Sequence, residues 1–223
     1  MKPIFEGEVL DVAATENGLI YAYCEDRSET QITVAFKMIS FEGFKETNVA
    51  KNIYLLSKFG PDYKAFSIHA DNYISCKIIT FPGEQMLILE DDGAVKFLND
   101  DASLLYDSKI SYVNENPSGI ALFGDKLWCS YKDKNVIIRY NINTMREELR
   151  LGGGRNTPFS MPTDIFVEGG YAYIASSGTK SVLKVDLNSY ALESYKELEV
   201  NINRFFRISG SDFIVNEKGL YMI

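Results

Sequence analysis

The sequence predicts an all-β chain of the β-propeller type, built from four-stranded antiparallel blades in one domain that spans residues 1–223. Three observations favour this fold class: a repeat with a period of 45 residues, short apolar runs separated by turn residues, and many aromatic residues with few prolines. The 14 tyrosines and 14 phenylalanines suit strands, and a count of 6 prolines leaves most backbone donors able to join a ladder.

The repeat is visible when the chain is compared with itself at an offset of 45 positions. Pro117 then falls on Pro162, and Gly124 falls on Gly169. No gap is needed from residue 117 to residue 144, and so long an ordered match is not expected by chance. The other matched pairs are Ile120 with Ile165, Trp128 with Tyr173, Ile138 with Leu183, Arg139 with Lys184, Asn141 with Asp186, Ile142 with Leu187, Asn143 with Asn188 and Thr144 with Ser189.

Both copies of the repeat have the same order of elements. A Pro-led apolar strand is followed by a glycine turn, an aromatic alternating strand, a polar turn, a third apolar strand, an Asn or Asp turn and a polar fourth strand. Short strands separated in this way are typical of all-β folds. The predicted strands are 119–123, 127–131, 136–140 and 147–150 in one copy and 164–167, 171–175, 182–185 and 192–195 in the other.

Weaker copies flank these two and bring the predicted number of blades to five. They cover residues 12–36, 78–98 and 205–223. The last copy lacks a fourth strand, and we expect residues 4–9 to supply it, because closure by the opposite terminus removes an exposed sheet edge. Residues 41–72 are longer than a blade needs, so they hold either a sixth blade or an insertion.

Some motifs of the repeat are shared with a known family. They are Pro-x-Gly-Ile at 117–120, Pro-x-Asp-Ile at 162–165, a glycine turn before an aromatic strand, and Val-Leu-Lys-Val-Asp-Leu-Asn-Ser at 182–189. In these features the chain resembles the repeats of NHL-type and YncE-like propellers, over residues 117–150 and 160–198. The resemblance implies the fold and no single function, because propellers include binding scaffolds, lyases, lactonases and electron-transfer enzymes.

Two enzyme classes with this fold imply specific residues. Resemblance to streptogramin-lyase-type propellers would imply a histidine acid or base, and His69, the one histidine, lies outside the repeat. Gluconolactonase-type propellers hold a metal on inner-strand Glu, Asn and Asp. The inner-strand starts here offer Asn116, Asp164 and Arg204, and two oxygen ligands with a cation make a poor cage. We therefore expect no metal and no cofactor.

Two acidic stretches are the remaining candidates for a cation site. They are Glu90-Asp91-Asp92 and Asn99-Asp100-Asp101, whose oxygen atoms would suit Ca²⁺. The spacing of neither stretch matches an EF-hand loop, and solvated hairpin turns explain both.

The charge and the cysteines bear on partners and location. With a formal net charge of -8 and no basic cluster, we expect neither nucleic acid nor an anionic membrane surface as a partner. The first residues lack the apolar segment of a secretory signal. Cys24, Cys76 and Cys129 are odd in number and far apart, which predicts free thiols and a cytoplasmic location.

The one glycine-rich loop supplies the first binding candidates, Arg155 and Asn156. They follow Gly152-Gly153-Gly154, whose amides would cradle an anion that Arg155 pairs with. The alternative is a plain connection from one blade's outer strand to the next blade's inner strand. Connections of this kind line one face of a propeller, where Asn116, Asp164 and Arg204 are also expected.

Arg204 belongs to the unusual stretch Arg204-Phe205-Phe206-Arg207. If Phe206 faces one neighbouring element, strand alternation turns Phe205 and Arg207 the other way. An arginine near the channel suits an anionic ligand or a partner carboxylate. The alternative is an ion pair with a local acid, such as Glu197.

Two functions are compatible with these patterns. The first is a binding or interaction scaffold, with a protein or small molecule on the face that carries the inter-blade loops. The second is an enzyme sited in the central channel, either a metal-dependent lactonase-like hydrolase or a lyase. The absence of converging His, Cys or paired acids in the repeat favours the scaffold.

Overall fold

A computed structural model describes residues 1–15, 18–28, 31–40, 42–43, 45–55, 77–81, 85–89, 94–98, 104–208 and 210–223. The regular elements in these ranges are β-strands, numbered β1 to β20, which confirms the predicted all-β class. They form five four-stranded sheets, and the strand pairs with a defined register are antiparallel. Within the same ranges, no helix has the length and apolar character that a membrane crossing needs.

Two sheets are built from the N-terminal half of the chain. The first has the strand order β2 (Val9–Thr15), β3 (Gly18–Arg27), β4 (Gln31–Ser40) and β5 (Glu46–Leu55). The second has the order β6 (Lys77–Phe81), β7 (Gln85–Leu89), β8 (Ala94–Leu98) and β9 (Leu104–Lys109). The weaker copies of the repeat therefore form sheets of the same kind as the strong ones.

The C-terminal half supplies three more sheets. The third sheet consists of β10 (Gly119–Phe123), β11 (Lys126–Tyr131), β12 (Val136–Asn141) and β13 (Glu147–Gly152). The fourth consists of β14 (Pro162–Glu168), β15 (Tyr171–Ser176), β16 (Ser181–Asp186) and β17 (Leu192–Glu197). The fifth joins β18 (Arg204–Ile208), β19 (Ser211–Asn216) and β20 (Gly219–Met222) to β1 (Lys2–Glu6).

The 45-residue repeat is reproduced in the pairing register. Ile120 lies opposite Cys129 in the third sheet, and Ile165 lies opposite Ile174 at the equivalent position of the fourth. Each predicted strand of the two strong copies is present, with bounds that differ by up to two residues. The turn residues that define the repeat thus also fix which residues face each other across the strands.

The N-terminal strand completes the last sheet, as predicted. β1 lies beside β20 in the order β1-β20-β19-β18. The predicted strand at residues 4–9 extends too far at its end, because β1 ends at Glu6 and Val9 belongs to β2. Gly7 lies between them with a φ of 149°, a conformation that glycine adopts without a side-chain clash.

Part of the long stretch at residues 41–72 has a defined role. Residues 46–55 form β5, the outer strand of the first sheet. The sequence interpretation did not assign this strand, because its mixed polar composition matches the repeat poorly. Residues 56–76 lie outside the described residues, so five blades, with six as the alternative, stays a prediction.

Burial differs between the strands of a sheet. β11, β15 and β19 are buried along nearly their whole length, whereas every position of the outer strands β13 and β17 is exposed or half-buried. A strand whose two faces both pack against other sheets needs a continuous apolar run, while an outer strand tolerates polar residues. This explains why the second strand of each repeat is aromatic and the fourth is polar.

The chain divides into two compact units, residues 6–107 and residues 1–5 with 108–223. The second unit has two apolar clusters between its sheets. One includes Trp128, Phe159 and Ile165, and the other includes Tyr173 and Phe205. All five predicted binding residues belong to this second unit.

Candidate functional site

The inner strands β14 and β18 are in contact near their starts, through Asp164 and Arg204. Asp164 is 3% exposed, and its Oδ2 lies 3.5 Å from Nε of Arg204. The same oxygen accepts a hydrogen bond from the backbone N–H of Phe205 at 3.4 Å. The structure therefore brings together two of the predicted residues, and it places the carboxylate of the neighbouring inner strand beside the arginine.

Side-chain hydroxyls tie the inner strands of successive sheets. The Ser118 hydroxyl donates to the carbonyl oxygen of Pro162 at 2.7 Å. Thr163, its equivalent in the next copy, donates to the carbonyl oxygen of Ile202, also at 2.7 Å. Two repeated bonds of this kind fix the spacing of the strand starts that carry Asp164 and Arg204. Sequence reasoning missed this role, although a hydroxyl recurs at this position of the repeat.

Gly119 makes the close approach of β10 and β14 possible. A Cβ at this position would lie 2.6 Å from both Cα and Oδ1 of Asp164, and 2.8 Å from Oγ of Ser130. Glycine is therefore required where the Asp164 backbone passes the third sheet. The starts of β10, β14 and β18, with the segments that lead into them, are called the inner-strand face below.

The glycine-rich loop is anchored to the turn between β11 and β12. The carbonyl oxygen of Asn135 accepts bonds from the Gly153 N–H and the Thr157 hydroxyl, each at 3.0 Å. The Asn135 side-chain Oδ1 accepts the N–H of Met161 at 2.7 Å. Arg155 and Asn156 are exposed at the tip of this anchored loop.

We expect removal of the Asn135 side chain to loosen this loop. Asn135 has a φ of 52°, so Asn135→Gly keeps the backbone and removes the bond to Met161, whereas Asn135→Ala also adds backbone strain. The glycine variant should lose about 1 kcal/mol of unfolding free energy, and the alanine variant about 1 kcal/mol more. Limited trypsin cleavage after Arg155 should accelerate in both, while cleavage after the exposed Arg146 stays constant. Unchanged cleavage after Arg155 would show that Asn135 does not hold the loop.

The remaining predicted binding residue, Asn116, is exposed in the segment that leads into β10. Arg155 and Asn156 occupy the equivalent segment before β14. The predicted residues thus lie at corresponding ends of successive inner strands. In the part of the chain that the structure describes, no group of three or more His, Cys, Asp or Glu side chains could hold a metal ion. His69, Cys76, Glu90-Asp91-Asp92 and Asn99-Asp100-Asp101 lie outside the described residues.

A second polar cluster, not predicted from the sequence, surrounds Asp212. Arg207 Nε donates to Asp212 Oδ1 at 2.8 Å, and Lys196 Nζ donates to Oδ2 at 3.0 Å. The Tyr195 hydroxyl donates to Oδ2 at 2.9 Å. Burial acts to raise the pKa of Asp212, but the bonds from Lys196, Arg207 and Tyr195 outweigh it and hold that pKa below its ordinary value. The carboxylate is therefore charged at neutral pH and joins the fourth and fifth sheets.

Arg207 also bonds the fourth sheet directly. Its guanidinium donates to Oε2 of Glu168 at 2.9 Å and to the hydroxyl of Tyr173 at 3.0 Å. Phe205 packs against the same Tyr173 with ring centroids 5.6 Å apart, whereas Phe206 stacks on Phe213. Phe205 and Arg207 therefore share one face of β18 and Phe206 takes the other, as strand alternation predicts.

Comparison with known proteins supports the fold. No protein-family model matches the chain, and no curated protein matches it by sequence. Solved structures similar to it include a streptogramin B lyase, with 11% identity, a TM-score of 0.52, and coverage of 98% of this chain and 69% of the other. Glutaminyl cyclase from Myxococcus xanthus has 11% identity, a TM-score of 0.57, and coverage of 99% and 91%. Sqt1 from Saccharomyces cerevisiae has 7% identity, a TM-score of 0.56, and coverage of 96% and 71%.

The chain has a β-propeller fold. At these identities the likeness shows the fold alone. The resemblance to NHL-type and YncE-like repeats is confirmed at the level of the propeller fold and not as membership of that family, since no family model matches. Two of the similar structures are named as enzymes, so the fold does not by itself separate catalysis from binding.

Proposed function

We propose that this propeller is a binding module that holds a protein or small molecule on the inner-strand face. The observation that carries the proposal is the fixed geometry of this face. Ser118 and Thr163 lock the strand starts, and Asn135 anchors the loop that presents Arg155 and Asn156. A surface held in place before a partner arrives loses little conformational freedom on binding, which favours affinity.

The position of Asp164 favours binding over catalysis. A general base must reach a substrate proton within hydrogen-bond distance. Asp164 is almost fully buried, and its Oδ2 faces the Arg204 guanidinium and the Phe205 amide. It therefore serves to orient Arg204, whose side chain remains 17% exposed and suits an anionic group of the partner.

The test compares the molecules that co-purify with a variant of the inner-strand face, called the face variant, and with a matched control variant. The full chain carries either Arg155→Glu with Asn156→Ala, or Arg146→Glu, which places the same charge reversal on the exposed turn at the other end of β12. Proteins and metabolites that co-purify with each are quantified by mass spectrometry. We expect a partner that wild type and Arg146→Glu retain in equal amount and that the face variant loses.

Two results would contradict the proposal. One is a set of co-purifying molecules that is identical for the wild type and the face variant. The other is turnover of lactones, phosphoesters or glycans by the purified chain, which would place the activity in a channel-sited enzyme.

A further inference from the structure

Three segments at the ends of the strands form one continuous surface. They are the turn 112–115, the turn 132–135 and the loop 153–161, called the turn surface below. Glu115 Oε1 accepts the Asp133 N–H at 2.9 Å, which joins the first segment to the second. The bonds of Asn135 to Gly153, Thr157 and Met161 join the second to the third. The three segments are thus held at fixed distances from one another.

The turn surface exposes two apolar side chains on strained backbone. Val113 is 61% exposed with a φ of 48°, and Met161 is 45% exposed with a φ of 51°. Reciprocal bonds between Tyr112 and Glu115, at 2.9 and 3.0 Å, close a tight turn around Val113 and Asn114. Such turns favour Asn-Gly, and a β-branched residue with positive φ is an outlier. Val113 and Met161 therefore combine an exposed apolar side chain with an unfavourable backbone conformation.

The same surface carries an excess of positive charge. Within the described part of the chain, no ion pair involves the basic residues Lys132, Lys134 and Arg155 of this surface. The exposed acidic residue in its three segments is Asp133. Glu115 is a second acidic residue of these segments, with its Oε2 buried and its Oε1 accepting the Asp133 N–H, so three basic residues stand against two acidic ones. At physiological salt, charges act over about 8 Å. A ligand on the turn surface therefore meets local cations, although the chain as a whole has a net charge of -8.

We propose that the turn surface docks an acidic protein segment that carries an apolar side chain. This inference rests on the proposed function and names the partner's chemistry. The apolar side chain contacts Val113 and Met161, and the flanking carboxylates pair with the three cations. Charge complementarity of this kind sets the orientation of the partner and excludes basic competitors.

The surface suits a protein segment better than a nucleic acid. Single-stranded nucleic acids bind through aromatic side chains that stack on the bases. The turn surface has two aromatic residues: Phe159 is buried, and Tyr112 is half-buried and covered by the Arg150 guanidinium, 4.6 Å from its ring centroid. Exposed aliphatic groups such as Val113 and Met161 offer no stacking platform.

The test is a selection of random peptides displayed on phage against the immobilised full chain, followed by titration of the enriched peptides. We expect these to be acidic and to contain a large apolar residue. Val113→Asn and Arg155→Glu should each weaken binding on the order of tenfold. Val113→Asn relieves the strained turn, so its Tm should not fall, and a loss of binding then reports a lost contact.

Matched controls lie at the other ends of the strands. Phe123→Asn removes an exposed apolar side chain from the last residue of β10, and Arg146→Glu reverses an exposed charge after β12. Both should leave peptide affinity unchanged. The inference is overturned if no peptide is enriched or if the enriched peptides are neutral or basic. It is also overturned if Val113→Asn changes peptide affinity no more than the control variants do, or if the chain binds single-stranded DNA more tightly than the peptides.

The two proposals fail in different ways. A co-purifying partner that is lost on substitution of Arg155 and Asn156, together with peptides that are not acidic, overturns this inference and leaves the binding module intact. If these substitutions change neither the peptide affinity nor the set of co-purifying molecules, the proposed function itself is overturned.

Discussion

Replacing Asp212 with alanine should lower the free energy of unfolding by about 3 kcal/mol. The carboxylate is buried and receives bonds from Arg207, Lys196 and Tyr195. Its removal leaves two cations without their shared counter-ion between the fourth and fifth sheets. The loss falls at the lower end of the range for a broken buried ion pair, because Arg207 and Lys196 keep some contact with water. Urea denaturation of the full chain measures it.

The control for this prediction is the exposed pair of Lys184 and Glu193. Glu193→Ala also removes a carboxylate that pairs with a lysine, at 2.9 Å from Lys184 Nζ, but Glu193 is largely exposed. Water and salt already screen such a pair, so the free energy of unfolding should hardly change. Equal effects of Asp212→Ala and Glu193→Ala would show that the Asp212 cluster does not join the sheets.

The contribution of Asp212 should depend on pH in a defined direction. Its pKa is lower in the folded chain than the value of about 3.9 for an unfolded aspartate. The stabilisation is therefore complete above that unfolded value and is lost as the pH falls through the lower folded value. The difference in unfolding free energy between wild type and Asp212→Asn should be constant near neutrality and shrink below about pH 4.

The second large effect is expected for Gly119→Ala. The added Cβ would lie 2.6 Å from the Asp164 Cα, a backbone atom that no side-chain rotation can move away. The inner strands β10 and β14 must separate, which should cost about 1–3 kcal/mol or more of unfolding free energy. Chemical denaturation measures the loss, and a crystal structure of the variant should show a displaced Asp164.

Gly154→Ala is the matched control for this steric argument. A Cβ at Gly154 meets no atom within 4 Å. The substitution reduces the freedom of the unfolded chain without a clash, so stability should stay level or rise by about 0.4–1 kcal/mol. A loss as large as that for Gly119→Ala would mean that both results reflect backbone conformation and not the contact with Asp164.

The fold was predictable because the residues that mark its strands and turns lie within short stretches of the sequence. Pro117, Gly124 and their equivalents at 162 and 169 mark where strands begin and turn, and one period of 45 residues recovers the strands of two sheets. The outer strand β5 was missed for the same reason. Its mixed polar composition matches the repeat poorly, so the 45-residue period does not reveal it.

The candidate site was predictable in part. Asp164 and Arg204 were identified as inner-strand starts, but their contact depends on how neighbouring sheets pack, and no spacing in the sequence encodes it. The Asp212 cluster was missed altogether. Glu168, Lys196 and Asp212 are far apart in the chain, and each one alone resembles an ordinary surface charge.

The pairing of β1 with β20 has a consequence for how the chain folds during synthesis. Among the described strands, β1 is synthesised before all others, and β20, the strand beside which it lies, is synthesised after them. The other four described sheets each consist of consecutive described strands and can form as soon as their own segments have emerged. The fifth sheet must wait for β20, so its contacts span the longest sequence separation among the described sheets and are expected to form the most slowly. Until β20 has been made, β1 lacks the strand beside which it pairs, and its unpaired edges make the growing chain prone to misassociation.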